Sequence, residues 1–259
     1  MNDTMKTVLL LVIFLVYTSC NRTTLVNDPG PDLIEPTILH VNGSDLFQYW
    51  DIDKNDSEFI LTNERGLDIY KDSLLQVLGK ESLDNILRME RSNDGAVRVQ
   101  RAELQQGEID NYKLAHSGMV GTIRPINHLE YQILNYQASR YPLLSHPTEF
   151  GAFILANDKL KRLRICYAGG EKPWPPRPDV IFDHMDKVLK EDWYLSTFLH
   201  NHFEPDTAGF VGLLAPSMSD AQYFEMLRDN FKIPNVLITN GFHTVVLDST
   251  HFYKFKQHE

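Results

Sequence analysis

The chain has 259 residues, of which 42% are hydrophobic and 23% are charged, and its formal net charge is −10. These values are typical of a folded globular protein with one or two domains. Because an acidic surface repels phosphate backbones, nucleic acid is not expected as a partner.

Residues 1–19 have the features of a signal peptide. Lys6 precedes an apolar run over residues 8–16, which is shorter than the roughly 20 residues that span a membrane as a helix. Small residues before Cys20 resemble a bacterial lipobox. This resemblance implies a lipid anchor at Cys20, its sole membrane contact, and a location in the cell envelope; the alternative is an ordinary secretory signal. Cys166, the other cysteine, then has no partner, which excludes a disulfide framework.

The next stretch is predicted to be a tether followed by a small mixed region. Residues 20–45 contain three prolines among Asn, Asp and Gly residues, which predicts little regular structure. A mixed α/β region is expected over residues 46–126. Its apolar spacing predicts helices over residues 68–78 and 81–91, and its alternation predicts a strand over residues 96–104.

Residues 127–259 predict an α/β or α+β domain whose sheet carries helices. Asn127 is expected to cap a helix over residues 128–139. Helical spacing also predicts helices over residues 180–192 and 219–231. Short apolar or alternating runs predict six strands, over residues 150–155, 162–167, 193–199, 236–239, 244–247 and 251–256.

Two histidines, His200 and His202, follow the predicted strand over residues 193–199. On an extended backbone, residues i and i+2 point to the same side, so both imidazoles can reach one metal ion. Asp220, in the first turn of the next predicted helix, can supply a carboxylate. Two histidines and one carboxylate leave the fourth position of a zinc ion open for water. The spacing therefore predicts a catalytic zinc site.

The segment from His200 to Asp220 reads His-Asn-His and, after a spacer, Pro-Ser-Met-Ser-Asp. It resembles the JAMM motif of the MPN/JAB family of zinc metallopeptidases, and His-Asn-His also resembles the RadC-type branch of that family. The resemblance covers about residues 127–256. It implies an MPN/JAB-like, cytidine-deaminase-like fold, in which a mixed sheet is flanked by helices.

The family's motif also includes a glutamate at the start of the first core strand. Glu149 fits this place, and the alternatives are Glu171 in a proline-rich loop and Glu191 at a helix end. By resemblance, Zn²⁺ is held by the two histidines and Asp220, and Glu149 acts as the general base. Ser217 is expected to hydrogen-bond the oxyanion.

Two features differ from the family's pattern. Phe203 stands where the family has a proline, and the spacer over residues 203–216 is longer than usual. The spacer is interpreted either as a flap over the cleft or as an insertion on the surface. The predicted function is hydrolysis of peptide or isopeptide bonds, with a peptide or protein substrate such as a cell-wall peptide. The alternatives are a non-catalytic MPN-like binding module and a RadC-like accessory to DNA processing, which the leader and the acidic charge disfavour.

Overall fold

Most of the described strands form one mixed sheet with helices on both faces. The computed structural model describes residues 33, 35–53, 68, 72, 75–76, 79–81, 83–84, 105–141, 143, 146–202, 205–206, 209–210 and 212–257. The predicted leader, the anchor and the strand over residues 96–104 lie outside these residues. Within them, no helix is long and apolar enough to cross a membrane.

The elements follow one another along the chain, with helices and a strand between the first two strands and the central strands of the sheet. In order they are β1 (Thr37–Asn42), β2 (Asp45–Asp53), α1 (Gln106–His116), β3 (Gly121–Pro125), α2 (His128–Arg140), β4 (Phe150–Asn157), β5 (Arg162–Gly169), α3 (Asp179–Val188), β6 (Tyr194–Asn201), β7 (Pro205–Asp206), β8 (Gly209–Phe210), α4 (Met218–Phe231), β9 (Asn235–Thr239), β10 (His243–Asp248) and a 3₁₀ helix (Ser249–Lys254). The main sheet has the order β1-β2-β5-β4-β6-β9-β10-β3. Its neighbours are antiparallel except β6 and β9, which are parallel. Strands β7 and β8 form a separate hairpin.

The centre of the sheet is apolar on both faces, as expected of strands that helices cover on both sides. Every residue of β4 is buried. Phe153 and Leu155 belong to the core that α1, α3 and α4 cover, whereas Ala152 and Ile154 belong to the core under α2. This double burial fixes β4, and Phe150 at its start lies at the end of the sheet where the candidate site is built.

Most of the elements predicted over residues 127–247 are confirmed. The predicted cap of α2 is present, since Asn127 Oδ1 accepts a hydrogen bond from Glu130 N at 2.9 Å. Between residues 68 and 84, the described positions are helical on both sides of Gly79, whose φ is +77°. Strands β1, β2 and β3 precede residue 127, yet they join both edges of the main sheet. The described parts of the two predicted regions therefore share one sheet.

Three predictions are corrected. The tether predicted over residues 20–45 includes β1, whose residues are ordered by pairing with β2. The helix predicted over residues 180–192 ends at Val188, and the turn after it brings Asp192 to a left-handed φ of 63°. The strand predicted over residues 251–256 is mostly 3₁₀ helix, because that turn places both Phe252 and Phe255 in the core.

The Cys166 thiol is expected to be unreactive in the folded protein. It is fully buried in β5, and burial raises its pKa to about 12. Because the thiolate is the reactive form, dithiobis(nitrobenzoate) at pH 8 should label it slowly until guanidinium chloride unfolds the chain. In a Cys20→Ser protein this thiol is the only one, so the absorbance of the released thiol reports it directly. Rapid labelling without denaturant would contradict the burial of this strand.

Candidate metal centre

The end of β6 carries two buried histidines that face the same space. His200 and His202 are 2% and 4% exposed, and their ring centroids lie 4.9 Å apart with the planes nearly perpendicular. The backbone N–H of His202 donates to Thr239 O at 2.9 Å, so β9 fixes the chain just beyond the end of β6. The prediction that the i, i+2 spacing brings both imidazoles to one place is confirmed.

A backbone carbonyl orients each imidazole. His200 Nδ1 lies 2.9 Å from Phe150 O, and His202 Nδ1 lies 2.7 Å from Leu213 O. A carbonyl oxygen can only accept, so each Nδ1 carries a hydrogen and donates it. Metal binding requires that Nε2 carries no hydrogen, and each ring would then present the Nε2 lone pair to the shared space. Histidines that bind metals are held in this way.

Helix α4 brings a carboxylate to the two histidines. Ser217 is its N-cap residue, and Ser217 Oγ accepts a hydrogen bond from Asp220 N at 3.0 Å. In return, Asp220 Oδ2 accepts hydrogen bonds from Ser217 N at 2.9 Å and from Ser217 Oγ at 2.7 Å. This capping box fixes both side chains. It holds Asp220 Oδ2 3.2 Å from His202 Nε2, and Asp220 Oδ1 3.7 Å from His200 Nε2.

Glu149 reaches the same space from the residue before β4. Its Oε2 atom lies 3.5 Å from His200 Nε2. Glu149, His200 and His202 offer ligand atoms that all lie within 4.8 Å of one another, and this group could hold a metal ion. The Glu149 and Asp220 side chains are 18% and 20% exposed, against 3% and 6% for the histidines. The carboxylates therefore border the open side of the site, and the imidazoles form its floor.

Three separations between these donor atoms are close to those found around a small tetrahedral ion. Ligand atoms bound at about 2.0–2.1 Å in a tetrahedron lie roughly 3.3 Å from one another. The separations are 3.2 Å for His202 Nε2 and Asp220 Oδ2, 3.5 Å for His200 Nε2 and Glu149 Oε2, and 3.7 Å for His200 Nε2 and Asp220 Oδ1. Nitrogen and carboxylate donors together suit a borderline metal rather than calcium or magnesium, which prefer oxygen alone.

The protonation states also suit a cation. Burial lowers the pKa of His200 to about 4, although the nearby Asp220 carboxylate acts in the opposite direction. Burial alone would raise the pKa of Asp220, but the hydrogen bond with His202, the two imidazoles and the Ser217 hydroxyl together hold it well below its usual value. At neutral pH His200 is therefore neutral and Asp220 is ionised, as metal ligands must be.

The two alternative glutamates lie elsewhere. Glu171 is exposed in the loop after β5. Glu191 lies beside Asn157, whose Nδ2 donates to the Glu191 carbonyl oxygen at 3.0 Å, and Asn157 is at the opposite end of β4 from Glu149. Neither carboxylate belongs to the described group of ligand atoms around the histidines.

The last part of the spacer supports the site directly. Leu213 supplies the carbonyl that orients His202, and Gly212 lies so close to His202 that a Cβ at residue 212 would stand 2.0 Å from the His202 carbonyl oxygen. The interpretation of the whole spacer as a surface insertion is therefore wrong for these residues. The sequence gives no sign of this support, because any residue type can offer a backbone carbonyl.

Replacing Gly212 by alanine is expected to weaken metal binding. The added methyl group would push the loop away from His202 and displace the Leu213 carbonyl. Loss of such support lowers metal affinity about 10–100-fold, which competition with a chromophoric chelator for Zn²⁺ would measure. Gly118→Ala is the control, since residue 118 has open space around it and a φ of +74° before β3. It should lower stability and leave the affinity unchanged, and equal affinities for both variants would contradict the role of the loop.

Comparison with known proteins assigns no relative. No protein-family model matches the chain, and no curated protein or solved structure shows a significant match to it. The likeness to the MPN/JAB family therefore remains a resemblance of motif and element order. The function is inferred from the residues and from their geometry.

Proposed function

We propose that the protein is a zinc-dependent hydrolase of peptide or isopeptide bonds, of the JAMM type that its motif resembles. The observation that carries the proposal is the convergence of two imidazole Nε2 atoms with the carboxylates of Asp220 and Glu149. Two histidines and one carboxylate form a donor set typical of catalytic zinc. The second carboxylate, on the open side, would then act as the base.

His200, His202 and Asp220 are the proposed ligands. Asp220 is preferred to Glu149 as the third ligand because its capping box holds it rigidly and it approaches both histidines. Glu149 is the rival, since its carboxylate also lies within 4.8 Å of both imidazoles. When bound, zinc would polarise a carbonyl group and lower the pKa of a water molecule toward about 7.

Glu149 is the proposed general base. Its carboxylate borders the open side of the site, where it can reach both a water molecule and a substrate. It would take a proton from the attacking water as the new C–O bond forms, and would pass that proton to the nitrogen as the C–N bond of the tetrahedral intermediate breaks and the amine leaves. A carboxylate suits this role because it stays ionised beside a cation near neutral pH.

Ser217 holds the Asp220 carboxylate in place, in addition to its proposed role at the oxyanion. Its hydroxyl donates to Asp220 Oδ2 at 2.7 Å, so the hydrogen points at the carboxylate rather than at a substrate. To stabilise an oxyanion, the hydroxyl would rotate toward the substrate. Asp220 would still be held during that rotation by the hydrogen bond from Ser217 N.

The substrate is proposed to be a peptide of the cell envelope, to which the predicted anchor at Cys20 would confine the domain. The test is to incubate zinc-loaded protein with libraries of peptides and cell-wall fragments and to detect the addition of water by mass spectrometry. Wild type should cleave members of a library, and Asp220→Ala should cleave none. A wild type that binds zinc and cleaves nothing would favour the alternative, a non-catalytic binding module.

A further inference from the structure

We infer that Asn201 is a positioning residue for Glu149, an inference that rests on the proposed role of Glu149 as the base. Asn201 stands between the two histidines, and alternation along β6 turns its side chain to the opposite face of the sheet. The side chain is fully buried. A buried carboxamide requires an acceptor for its amino group and a donor for its oxygen. Both partners belong to one short segment, residues 148–150.

The Asn201 carboxamide forms hydrogen bonds with the residues on both sides of Glu149. Asn201 Oδ1 accepts a hydrogen bond from Phe150 N at 2.7 Å, and Asn201 Nδ2 donates to Thr148 O at 3.0 Å. These two bonds attach immediately before and after Glu149. The described backbone register between β4 and β6 ends at Gly151. The Asn201 side chain thus continues the connection between the strands where their backbone pairing has ended.

The same segment is tied to a proposed ligand and to α2. Phe150 O accepts the hydrogen bond from His200 Nδ1 at 2.9 Å. On the other side, Thr148 Oγ1 accepts a hydrogen bond from Gln137 Nε2 at 2.6 Å, and both side chains are fully buried. A displacement of residues 148–150 would therefore change the 3.5 Å separation between Glu149 Oε2 and His200 Nε2.

The chemistry of the two bonds explains why this residue is an asparagine. One partner is a donor and the other is an acceptor, so the side chain must offer an oxygen and an N–H at once. Leucine has a similar size but would leave Phe150 N and Thr148 O without this partner in a buried place, which is costly. Aspartate would keep the first bond and would turn a second oxygen against the Thr148 carbonyl.

The test compares Asn201→Leu with Glu149→Gln and with the double variant. The matched control is Asn157→Leu, because Asn157 is also buried and uses both ends of its carboxamide, donating to Glu191 O at 3.0 Å and accepting from Leu160 N at 2.9 Å. It lies at the far end of β4, so this control loses the same kind of bonds without touching residues 148–150. Asn201→Asp serves as a second variant, should the leucine variant not fold.

Two measurements need no substrate. Crystal structures of Asn201→Leu should show the Glu149 carboxylate displaced by about 1 Å or more, a shift large enough to cost about 10²-fold in rate. With Co²⁺ as the probe metal, the visible spectrum of Asn201→Leu should change as that of Glu149→Gln does. The double variant should add no further change, and the Asn157→Leu spectrum should match that of wild type.

Hydrolysis supplies the third measurement. Asn201→Leu should lower kcat about 10²-fold in the wild-type background and should have no effect in the Glu149→Gln background. An unmoved Glu149, an unchanged spectrum, or equal losses of rate in both backgrounds would overturn the inference. If no protein cleaves any substrate while the displacement and the spectral non-additivity are found, the proposed function fails and the positioning role stands.

Discussion

The Glu149→Gln protein is expected to keep one zinc ion per chain while amide hydrolysis falls by about 10²–10⁴-fold. Glutamine has nearly the same shape as glutamate but cannot accept a proton at neutral pH. The proposed ligands His200, His202 and Asp220 are untouched, and Asp220 keeps the hydrogen bonds of its capping box. Elemental analysis of the purified protein gives the zinc content, and the rate is measured on a substrate from the library screen.

Glu171→Gln is the matched control for this variant, because Glu171 is an exposed glutamate outside the site. It should keep both zinc and the full rate. Loss of zinc from the Glu149→Gln protein would make Glu149 a ligand, in line with its closeness to both histidines. A full rate with Glu149→Gln, on a substrate that Asp220→Ala cannot cleave, would place the base elsewhere.

The His202→Ala protein is expected to lose zinc and the thermal stability that zinc confers. The change removes a proposed ligand and the ring that links Leu213 O to Asp220. A ligand that binds only the folded state stabilises a protein by about 2.7–4.1 kcal/mol when the ligand concentration is 100–1,000 times its Kd. Wild type should therefore unfold at a higher temperature with added zinc, and the variant should not. Scanning calorimetry with and without zinc, together with elemental analysis, measures both effects.

His251→Ala is the control for loss of a histidine. His251 is half-buried in the 3₁₀ helix and is not among the described ligand atoms. Its variant should retain zinc and the zinc-dependent rise in unfolding temperature. Full zinc occupancy in His202→Ala would show that the ligand set is wrong, whatever the stability of that variant.

His200, His202 and Asp220 could be predicted from their spacing, whereas Glu149 and Ser217 are implied by the resemblance to the JAMM motif. The i, i+2 spacing of His200 and His202 needs only an extended backbone to bring both rings to one side. Ser217 and Asp220 have the spacing of a capping box at a helix start, and the structure places that box beside the histidines. Glu149 stands directly before a strongly apolar strand, and that strand is found at the centre of the sheet.

The supporting groups could not be predicted, because they are backbone atoms or depend on distant pairing. Phe150 O and Leu213 O orient the two imidazoles, but a main-chain carbonyl has no residue-type signature. The pairing of β2 with β5 joins residues that lie more than a hundred positions apart, and β1 joins the sheet through β2. The polar, proline-rich stretch up to residue 45 therefore predicts a tether, although β1, in its last part, pairs with β2.

The most direct test of the proposed site is anomalous diffraction at the zinc absorption edge from crystals of zinc-loaded protein. We expect one strong peak at about 2.0–2.1 Å from His200 Nε2, His202 Nε2 and a carboxylate oxygen of Asp220, with Glu149 outside bonding distance. A peak bonded to Glu149 in place of Asp220 would contradict the assignment of ligand and base. No peak at these residues in protein that contains zinc would contradict the site itself.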